Sequence, residues 1–118
     1  VIGAAFYGRV WKGVPPVNNG LYQLSGGLHQ GWMAYHWIRD TYEKDPNFQR
    51  FWDEKAQAPF MYNAKDSLML SYDDTVSVAL KTTYAKEKGL GGIMFWELGN
   101  DTKESGSLLD AIYKAAQQ

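Results

Sequence analysis

Two short segments of the 118-residue sequence place aromatic and charged side chains together. The first contains Tyr7, Arg9 and Trp11, and the second contains Trp96 followed directly by Glu97. An aromatic ring can pack against the C–H face of a sugar, and a guanidinium can donate hydrogen bonds to hydroxyl or carbonyl oxygens. Both segments would suit a polar ligand with an apolar face. The alternative is that Trp11 and Trp96 only pack in the core or at its rim, and spacing alone does not separate the two.

The overall composition excludes several other classes of function. The net charge is −1, so no basic face is available for nucleic acid. There is no cysteine, hence neither a disulfide framework nor a cysteine-ligated metal site. His29 and His36 are seven positions apart, whereas metal-binding pairs on a helix usually lie about three or four apart, so we predict no metal site. No apolar run reaches the roughly 18 residues of a membrane helix.

Each of the two aromatic segments lies at the end of a short apolar run. Residues 1–8 and 92–96 are continuously apolar rather than alternating, which is typical of strands buried on both faces of a parallel sheet. In parallel β/α architectures, ligands bind at the carboxyl ends of the strands. The sequence starts with Val1 rather than Met and enters an apolar strand at once. We therefore expect a segment of a longer chain.

The residues between these two strands are predicted to form a separate α+β unit. Residues 10–27 contain prolines, asparagines and several glycines and are predicted to be a loop. Met33, Trp37 and Ile38 fall at helical spacing, which predicts a helix over residues 30–43. Three strand-like runs joined by short connections then indicate an antiparallel meander, at residues 48–53, 59–63 and 67–72.

Two helices are predicted in the remainder of the chain. Asp73 or Asp74 can cap the first helix, and Gly89 is a natural stop at its end. Ser107, with Asp110 three residues later, is typical of a capping box at the start of the second. The apolar stripe of the first helix is Val76, Leu80 and Tyr84, and the inner face of the second is Leu108, Leu109, Ile112 and Ala116.

Four motifs, AAFYGRVW, APFMYN, SYDDTVS and KGLGGIMFWELGND, occur in this order along the chain. Together they resemble the glycoside hydrolase family 18 chitinases over nearly the whole chain. The resemblance implies an α+β insertion domain flanked by two strands and two helices of a TIM (β/α)8 barrel, as a fragment of a larger barrel. Residues 1–10 and 73–118 would then be the last two strands and helices of the barrel, and residues 11–72 the insertion domain.

The resemblance also implies roles for the residues at the strand ends. Trp96 corresponds to the family's tryptophan that forms the hydrophobic floor under the sugar at the cleavage point. Tyr7 and Arg9 correspond to cleft residues that contact neighbouring sugars, and Trp11 is added because of its position beside them. In the family the peptide bond after this tryptophan is typically cis, so a cis Trp96–Glu97 bond is predicted.

Glu97 and Trp37 are two further candidate site residues. Glu97 is a candidate catalytic acid because it lies at the strand end, but packing or hydrogen bonding there is the favoured interpretation. The residues around Trp37 resemble a helix of the family's insertion domain that usually carries an acidic residue near this position. Trp37 therefore either adds a stacking surface or joins the core of the insertion domain, and the core is favoured.

The family's catalytic motif is a run of spaced aspartates that closes with a glutamate, and nothing in the sequence matches it. We therefore assign no catalytic residue to this chain and predict that it is inactive alone. The resemblance implies that the full protein hydrolyses β-1,4-linked N-acetylglucosamine polymers with retention. The acetamido group of the substrate would act as the nucleophile. Neither a metal nor an organic cofactor is implied.

Two other functions stay open at this point. The first is a non-catalytic chitin-binding lectin of the same fold, and the second is a small α+β interaction module that binds no sugar. The predicted partners are chitin or N-acetylglucosamine oligosaccharides, with neither nucleic acid nor a membrane. The bare strands of an incomplete barrel are expected to be covered by partner chains, by self-association or by the remainder of the barrel. The sequence itself does not indicate a compartment, and the resemblance implies a secreted or periplasmic protein.

Overall fold

The fold combines a small parallel sheet with a larger antiparallel one, and the computed structural model describes residues 1–118. Seven strands follow one another along the chain: β1 (Ile2–Ala5), β2 (Tyr7–Lys12), β3 (Gly27–Ala34), β4 (Gln49–Asp53), β5 (Ala58–Asn63), β6 (Leu68–Tyr72) and β7 (Ile93–Trp96). The helices are α1 (Tyr35–Trp37), α2 (Thr75–Glu87) and α3 (Leu108–Gln117). Three single turns complete the list: the π-helical turn Ile38–Tyr42, which continues α1, and the 3₁₀ turns Val17–Gly20 and Leu98–Asn100.

The parallel sheet consists of β1 and β7 alone. Ile2 lies opposite Ile93 and Ala5 opposite Trp96, so both strands end at the same edge. Helices α2 and α3 pack against each other, and α2 also contacts both strands. This half of the molecule is therefore built as a portion of a β/α barrel, and the predicted parallel strands and flanking helices are confirmed. The predicted burial on both faces is wrong, however, because Met94 and Trp96 of β7 are exposed.

The antiparallel sheet has the strand order β3-β2-β6-β5-β4. Its last three strands are consecutive in sequence and pair with short connections, which confirms the predicted meander. Strand β2 pairs with β3 on one side and with β6 on the other, so it lies inside the sheet. This sheet positions the residues that follow β1.

Phe6 joins the two sheets. Its side chain is fully buried and stacks on Phe95 at a centroid separation of 4.6 Å. Its backbone N–H donates to the Trp96 carbonyl at 2.9 Å, and its carbonyl accepts from the Tyr35 N–H at 3.0 Å. A single hydrophobic core then continues from Phe6 through Val10 and across both sheets.

The first predicted strand, residues 1–8, is in fact two strands. The break falls at Phe6, after which β2 enters the antiparallel sheet and runs to Lys12. The backbone bonds of Phe6 to β7 and to α1 are the reason, because they turn the chain from one sheet into the other. The predicted loop over residues 10–27 is correspondingly shorter and spans residues 13–26.

The predicted helix over residues 30–43 is wrong in its first half. Residues up to Ala34 belong to β3, and helical structure begins only at Tyr35. Met33 and Ile38 are buried as their spacing suggested, but Met33 lies in a strand that faces Gly8 of β2. Pairing with β2, which lies well before β3 in the sequence, has overridden the local helical pattern.

Both ends of α2 agree with the sequence prediction. Asp74 and Ser77 form a complete capping box, with the Ser77 N–H donating to the Asp74 carboxylate at 2.8 Å and the Asp74 N–H donating to the Ser77 hydroxyl at 2.9 Å. The helix stops before Gly89, whose φ of +62° suits glycine. Its apolar stripe is not buried within this chain, however: Val76, Leu80 and Tyr84 are exposed.

Helix α3 differs from its prediction in two details. Leu108 and Ile112 are buried as expected, but Ala115 completes the inner face, and Leu109 and Ala116 are exposed. Ser107 accepts from the Asp110 N–H at 3.2 Å, but the Asp110 carboxylate pairs with Lys114 rather than closing the capping box. No helix is long and apolar enough to cross a membrane.

Candidate functional site

Trp96 stands at the exit of β7 with its indole uncovered. Strand alternation puts Ile93 and Phe95 against the core, and leaves Met94 and Trp96 on the opposite face. The indole is 62 % exposed, so it does not contribute to the core of this chain. Because large apolar side chains are normally buried, a tryptophan uncovered at a strand end is available to a ligand or to another protein surface.

The backbone around Trp96 is held firmly. The Trp96–Glu97 peptide bond is cis, as predicted. The Trp96 carbonyl accepts from the Phe6 N–H at 2.9 Å, and the Glu97 carbonyl accepts from the Asn100 N–H at 3.0 Å. The side chain of Trp96 is therefore presented from a backbone that is fastened on both sides of the bond.

Strand β2 presents the other three predicted binding residues on one face. Gly8 and Val10 are buried beneath the strand, while Tyr7, Arg9 and Trp11 alternate with them on the outer face. Arg9 is exposed and forms no ion pair within the chain, so its guanidinium hydrogens are free to donate. The three side chains form a row rather than a scattered set.

A cleft of about 420 Å³ lies along this row. It brings Tyr7, Arg9 and Trp11 together, and its edge at Ala5 lies opposite Trp96 in the parallel sheet. Glu97 does not line the cleft. The remaining lining residues come from β2, β5, β6 and the start and middle of α2: Gly8, Ala58, Ser71, Tyr72, Asp73 and Lys81.

Asp73 and Lys81 line the cleft, although the sequence suggested Asp73 only as a possible helix cap and did not indicate Lys81 at all. The Asp73 carboxylate accepts from Lys81 Nζ at 2.6 Å, from the Ser77 hydroxyl at 2.7 Å and from the Ala5 N–H at 3.2 Å. Through these three hydrogen bonds, the carboxylate joins β1 to α2. It is therefore not a free proton donor, and the sequence offered no signal because its partners are far apart along the chain.

Trp32 is a second residue that the sequence analysis missed. It lies in β3, is 49 % exposed, and stacks on Tyr7 with a centroid separation of 6.3 Å and an interplanar angle of 29°. Because these residues were predicted to be helical, the pairing of β3 with β2 was not expected. The aromatic surface next to the cleft is therefore larger than the sequence indicated.

Trp37 does not join the core, contrary to the favoured interpretation. Its side chain is 53 % exposed, and it does not line the cleft. Helix α1 instead packs near the turn Leu98–Asn100, which follows Trp96 in the chain. Of the two neighbouring residues that were expected to be buried, Ile38 is completely buried and Trp37 is not.

The titratable groups near the cleft favour binding over acid–base chemistry. Burial raises the pKa of the Tyr72 phenol above its usual value, although the charge of Arg50 opposes this, so the phenol is neutral at pH 7. Its hydroxyl is buried without a partner. The one carboxylate of the cleft, Asp73, is fully occupied. The arrangement offers aromatic faces and hydrogen-bond donors, and it can hold a neutral ligand rich in oxygen acceptors.

Comparison with known proteins identifies the family. The family model described as glycosyl hydrolases family 18 matches residues 1–101. The chain therefore belongs to glycoside hydrolase family 18.

The individual relatives include hydrolases and one agglutinin. The chain is 41 % identical over 111 residues to Chitinase A1 of Niallia circulans, an alignment that covers 89 % of this chain and 16 % of that protein. It is 44 % identical to a family 18 N-acetylglucosaminidase from Paenibacillus barengoltzii, with a TM-score of 0.85, covering 98 % of this chain and 33 % of that one. A chitinase-like agglutinin from Robinia pseudoacacia is 28 % identical, with a TM-score of 0.77, covering 97 % of this chain and 31 % of that one. The chain thus spans a third or less of each of these proteins.

Proposed function

We propose that this chain forms part of the substrate cleft of a chitinase, which hydrolyses β-1,4-linked N-acetylglucosamine polymers. The observation that carries the proposal is the uncovered indole of Trp96 at the strand exit, next to a cleft lined by Tyr7, Arg9 and Trp11. The names of the hydrolase relatives support the substrate class. In this proposal Trp96 lies beneath the sugar at the cleavage point.

The same proposal divides the chain into a barrel part and an insertion domain. Residues 1–10 and 73–118 would belong to the barrel and residues 11–72 to an insertion domain that forms one wall of the cleft. The contrast between the β1–β7 pair and the antiparallel sheet supports this division, although the antiparallel sheet begins already at Tyr7. A secreted or periplasmic location stays a prediction from the family.

The proposed reaction retains the configuration at the anomeric carbon. The substrate's acetamido oxygen attacks that carbon, and a glutamate outside these 118 residues protonates the departing glycosidic oxygen. No cleft carboxylate is free for that task, since Asp73 is held by three donors. The chain's own residues bind and orient the sugars, and Trp96 supports the distorted ring.

The role of Trp96 is tested by Trp96→Ala in the intact protein, measuring affinity for chitobiose by fluorescence titration. Covering about half of an aromatic side chain, roughly 80 Å², contributes about 2 kcal/mol at about 25 cal/mol per Å². We expect an affinity loss of about 30-fold for Trp96→Ala and a smaller loss for Trp96→Phe. Tyr113→Ala is the matched control, because Tyr113 is 63 % exposed on α3, outside the cleft. Unchanged affinity in Trp96→Ala would contradict the proposal.

The second candidate function is a chitin-binding lectin, and the similarity to an agglutinin favours its inclusion. The two functions share the cleft and differ only in the presence of a catalytic acid elsewhere. Incubating the intact protein with a chromogenic chitobioside distinguishes them. A hydrolase releases the chromophore, whereas a lectin binds chitobiose without turnover.

A further inference from the structure

A closed loop, residues 13–26, leaves the antiparallel sheet after β2 and returns to it at nearly the same point. The Gly26 N–H donates to the Lys12 carbonyl at 2.7 Å, which ties the two ends together. Gly13 has a φ of +62°, and a Cβ at this position would come within 3.3 Å of the Gly26 nitrogen. The close contact of the two glycines gives the loop a narrow neck.

The loop is fastened to the sheet along its length. The Val14 carbonyl accepts from the Tyr62 hydroxyl at 2.6 Å, and the Val14 N–H donates to the Ser67 carbonyl at 3.0 Å. Gly20 lies directly on the Tyr62 ring, since a Cβ there would be 2.4 Å from a ring carbon. Tyr22 donates its hydroxyl hydrogen to the Asp53 carboxylate at 2.5 Å. The loop therefore forms a wall that exists before any ligand binds.

Between this wall and the sheet lies a second pocket, of about 280 Å³. Its apolar floor is formed by Trp11 and Met69, which are paired across β2 and β6. Trp11 also lines the first cleft, so the two spaces meet at its indole. The other lining residues all belong to the loop: Val14, Gly20, Tyr22, Gln23 and Ser25.

The polar groups of this second pocket suit a neutral ligand that carries hydroxyl or amide groups. The Gln23 amide nitrogen donates to the Leu21 carbonyl at 3.1 Å, which leaves the Gln23 side-chain oxygen free to accept. The Ser25 hydroxyl oxygen accepts from the Gly27 N–H at 3.3 Å, and its own hydrogen is free to donate. No charged side chain lines the pocket, so an anionic ligand gains nothing there.

We propose that the second pocket is an additional sugar-binding site, which holds further residues of the same glycan beyond Trp11. This inference rests on the proposed function and extends it, because it predicts that affinity increases with chain length. The strand from Tyr7 to Trp11 covers about 13 Å at about 3.3 Å per residue. A short oligosaccharide at Trp96 and Tyr7 does not reach the loop, whereas a longer one passes Trp11 and contacts Gln23 and Ser25.

The test compares chitobiose and chitohexaose on the intact protein, with stopped-flow tryptophan fluorescence reading the binding before turnover. Gln23→Ala removes one hydrogen bond of about 1 kcal/mol, and we expect it to weaken chitohexaose binding about fivefold and to leave chitobiose binding unchanged. Ser25→Ala should act in the same direction. Gln117→Ala is the matched control, since Gln117 is exposed at the end of α3.

The outcomes separate this inference from the proposed function. A loss confined to chitohexaose supports the second site. Equal losses for both oligosaccharides, or no loss for either, overturn it while leaving the main cleft intact. If the unmodified protein binds neither oligosaccharide, the proposed function itself is overturned, and the second site falls with it. Thermal melting of each variant shows that the fold is retained, because both side chains are on a surface loop.

Discussion

At the scale of single residues, the side chains in and beside the cleft are divided between holding the fold and facing outward. Asp73 and Phe6 are buried and tie β1 to its neighbours. Arg9 and Trp96 do not hold the fold together in this way. Arg9 forms no ion pair, and Trp96 is 62 % exposed. Substitutions of outward-facing residues should therefore change ligand binding without changing stability.

Arg9→Met tests this separation. The variant keeps most of the aliphatic stem but removes every hydrogen-bond donor of the guanidinium. A hydrogen bond from a charged group contributes about 1.5–3 kcal/mol, so we expect at least a tenfold loss of chitobiose affinity. The melting temperature should not change measurably, because Arg9 is exposed. A large fall in melting temperature would mean that Arg9 has a structural role.

The hydrogen bond between Tyr22 and Asp53 predicts a pH dependence for the loop of residues 13–26. The Tyr22 hydroxyl lowers the pKa of the Asp53 carboxyl, and the carboxylate raises the pKa of the Tyr22 phenol. A lowered carboxyl pKa stabilises the folded loop above the ordinary aspartate pKa of about 4, and this contribution is lost as the pH falls below that value. A raised phenol pKa stabilises it below the ordinary tyrosine pKa of about 10, and this contribution is lost as the pH rises further.

Amide hydrogen exchange of the loop should therefore be slowest between about pH 4 and 10, after correction for the intrinsic exchange rate. Tyr22→Phe should expose the loop amides to faster exchange and remove the dependence at the alkaline end. It should only weaken the dependence at the acidic end, because the Lys55 and Ala56 N–H groups still donate to Asp53 and lower its pKa. The amides of α2 serve as the internal reference, because they are remote from this hydrogen bond. A Tyr22→Phe profile identical to that of the unmodified protein would contradict the prediction.

At the scale of elements, carboxylates hold the first turns of both long helices, a buried one at α2 and a partly buried one at α3. Asp74 caps α2, and its carboxylate also pairs with Arg50 of β4. Asp101 does the same for α3, since its carboxylate accepts from the Leu108 N–H at 2.8 Å and from the Leu109 N–H at 2.9 Å. These anchors fix the position of α3 relative to the loop that follows Trp96.

Asp101→Ala should destabilise the protein by about 2 kcal/mol or more. The substitution removes the acceptor of four hydrogen bonds, two from the first turn of α3 and the others from the Ser107 hydroxyl and the Thr102 N–H. Asp110→Ala is the matched control, because that exposed carboxylate pairs only with Lys114 on the surface and should cost less than about 1 kcal/mol. Urea unfolding measures both, and equal costs would contradict the prediction.

At the scale of the whole molecule, the chain exposes more surface than a folded monomer of its size. Its accessible area is 7049 Å², against about 6,500 Å² expected for 13.4 kDa. Part of the excess lies on two apolar faces, one carrying Met94 and Trp96 on β7 and the other carrying Val76, Leu80 and Tyr84 on α2. A two-stranded parallel sheet cannot close a barrel, so its interior face has nothing to pack against.

Residues 1–118 expressed alone should therefore self-associate and should not hydrolyse a chromogenic chitobioside. Sedimentation velocity should show species larger than 13.4 kDa that decrease on dilution. Leu80→Glu should shift the distribution towards monomer, because it places a charge on the exposed face of α2. Lys103→Glu is the control, because this exposed lysine lies in a loop outside both apolar faces. A monomeric chain at all concentrations, or turnover at an enzymatic rate, would contradict this prediction.

Much of the architecture was predictable because it depends on local patterns. The meander, the parallel strand at residues 93–96, the cap at Asp74 and the stop at Gly89 all follow from neighbouring residues in the sequence. The cis bond after Trp96 and the family followed from motif resemblance. The row formed by Tyr7, Arg9 and Trp11 was not anticipated, because Trp11 was predicted to lie in a loop and only the pairing of β2 with β3 and β6 extends the strand to Lys12.

The errors occurred where distant parts of the chain compete with local preference. Met33, Trp37 and Ile38 have helical spacing, but backbone hydrogen bonds to β2 draw the residues before Tyr35 into a strand. That pairing also decides that Trp32 stacks on Tyr7. The sequence by itself determined most of the strands and the two long helices, and where several of them end, because these depend on neighbours along the chain. Only the tertiary structure decided which faces are covered and which side chains meet in the cleft, because Asp73, Lys81 and Ala5 are brought together by packing between remote segments.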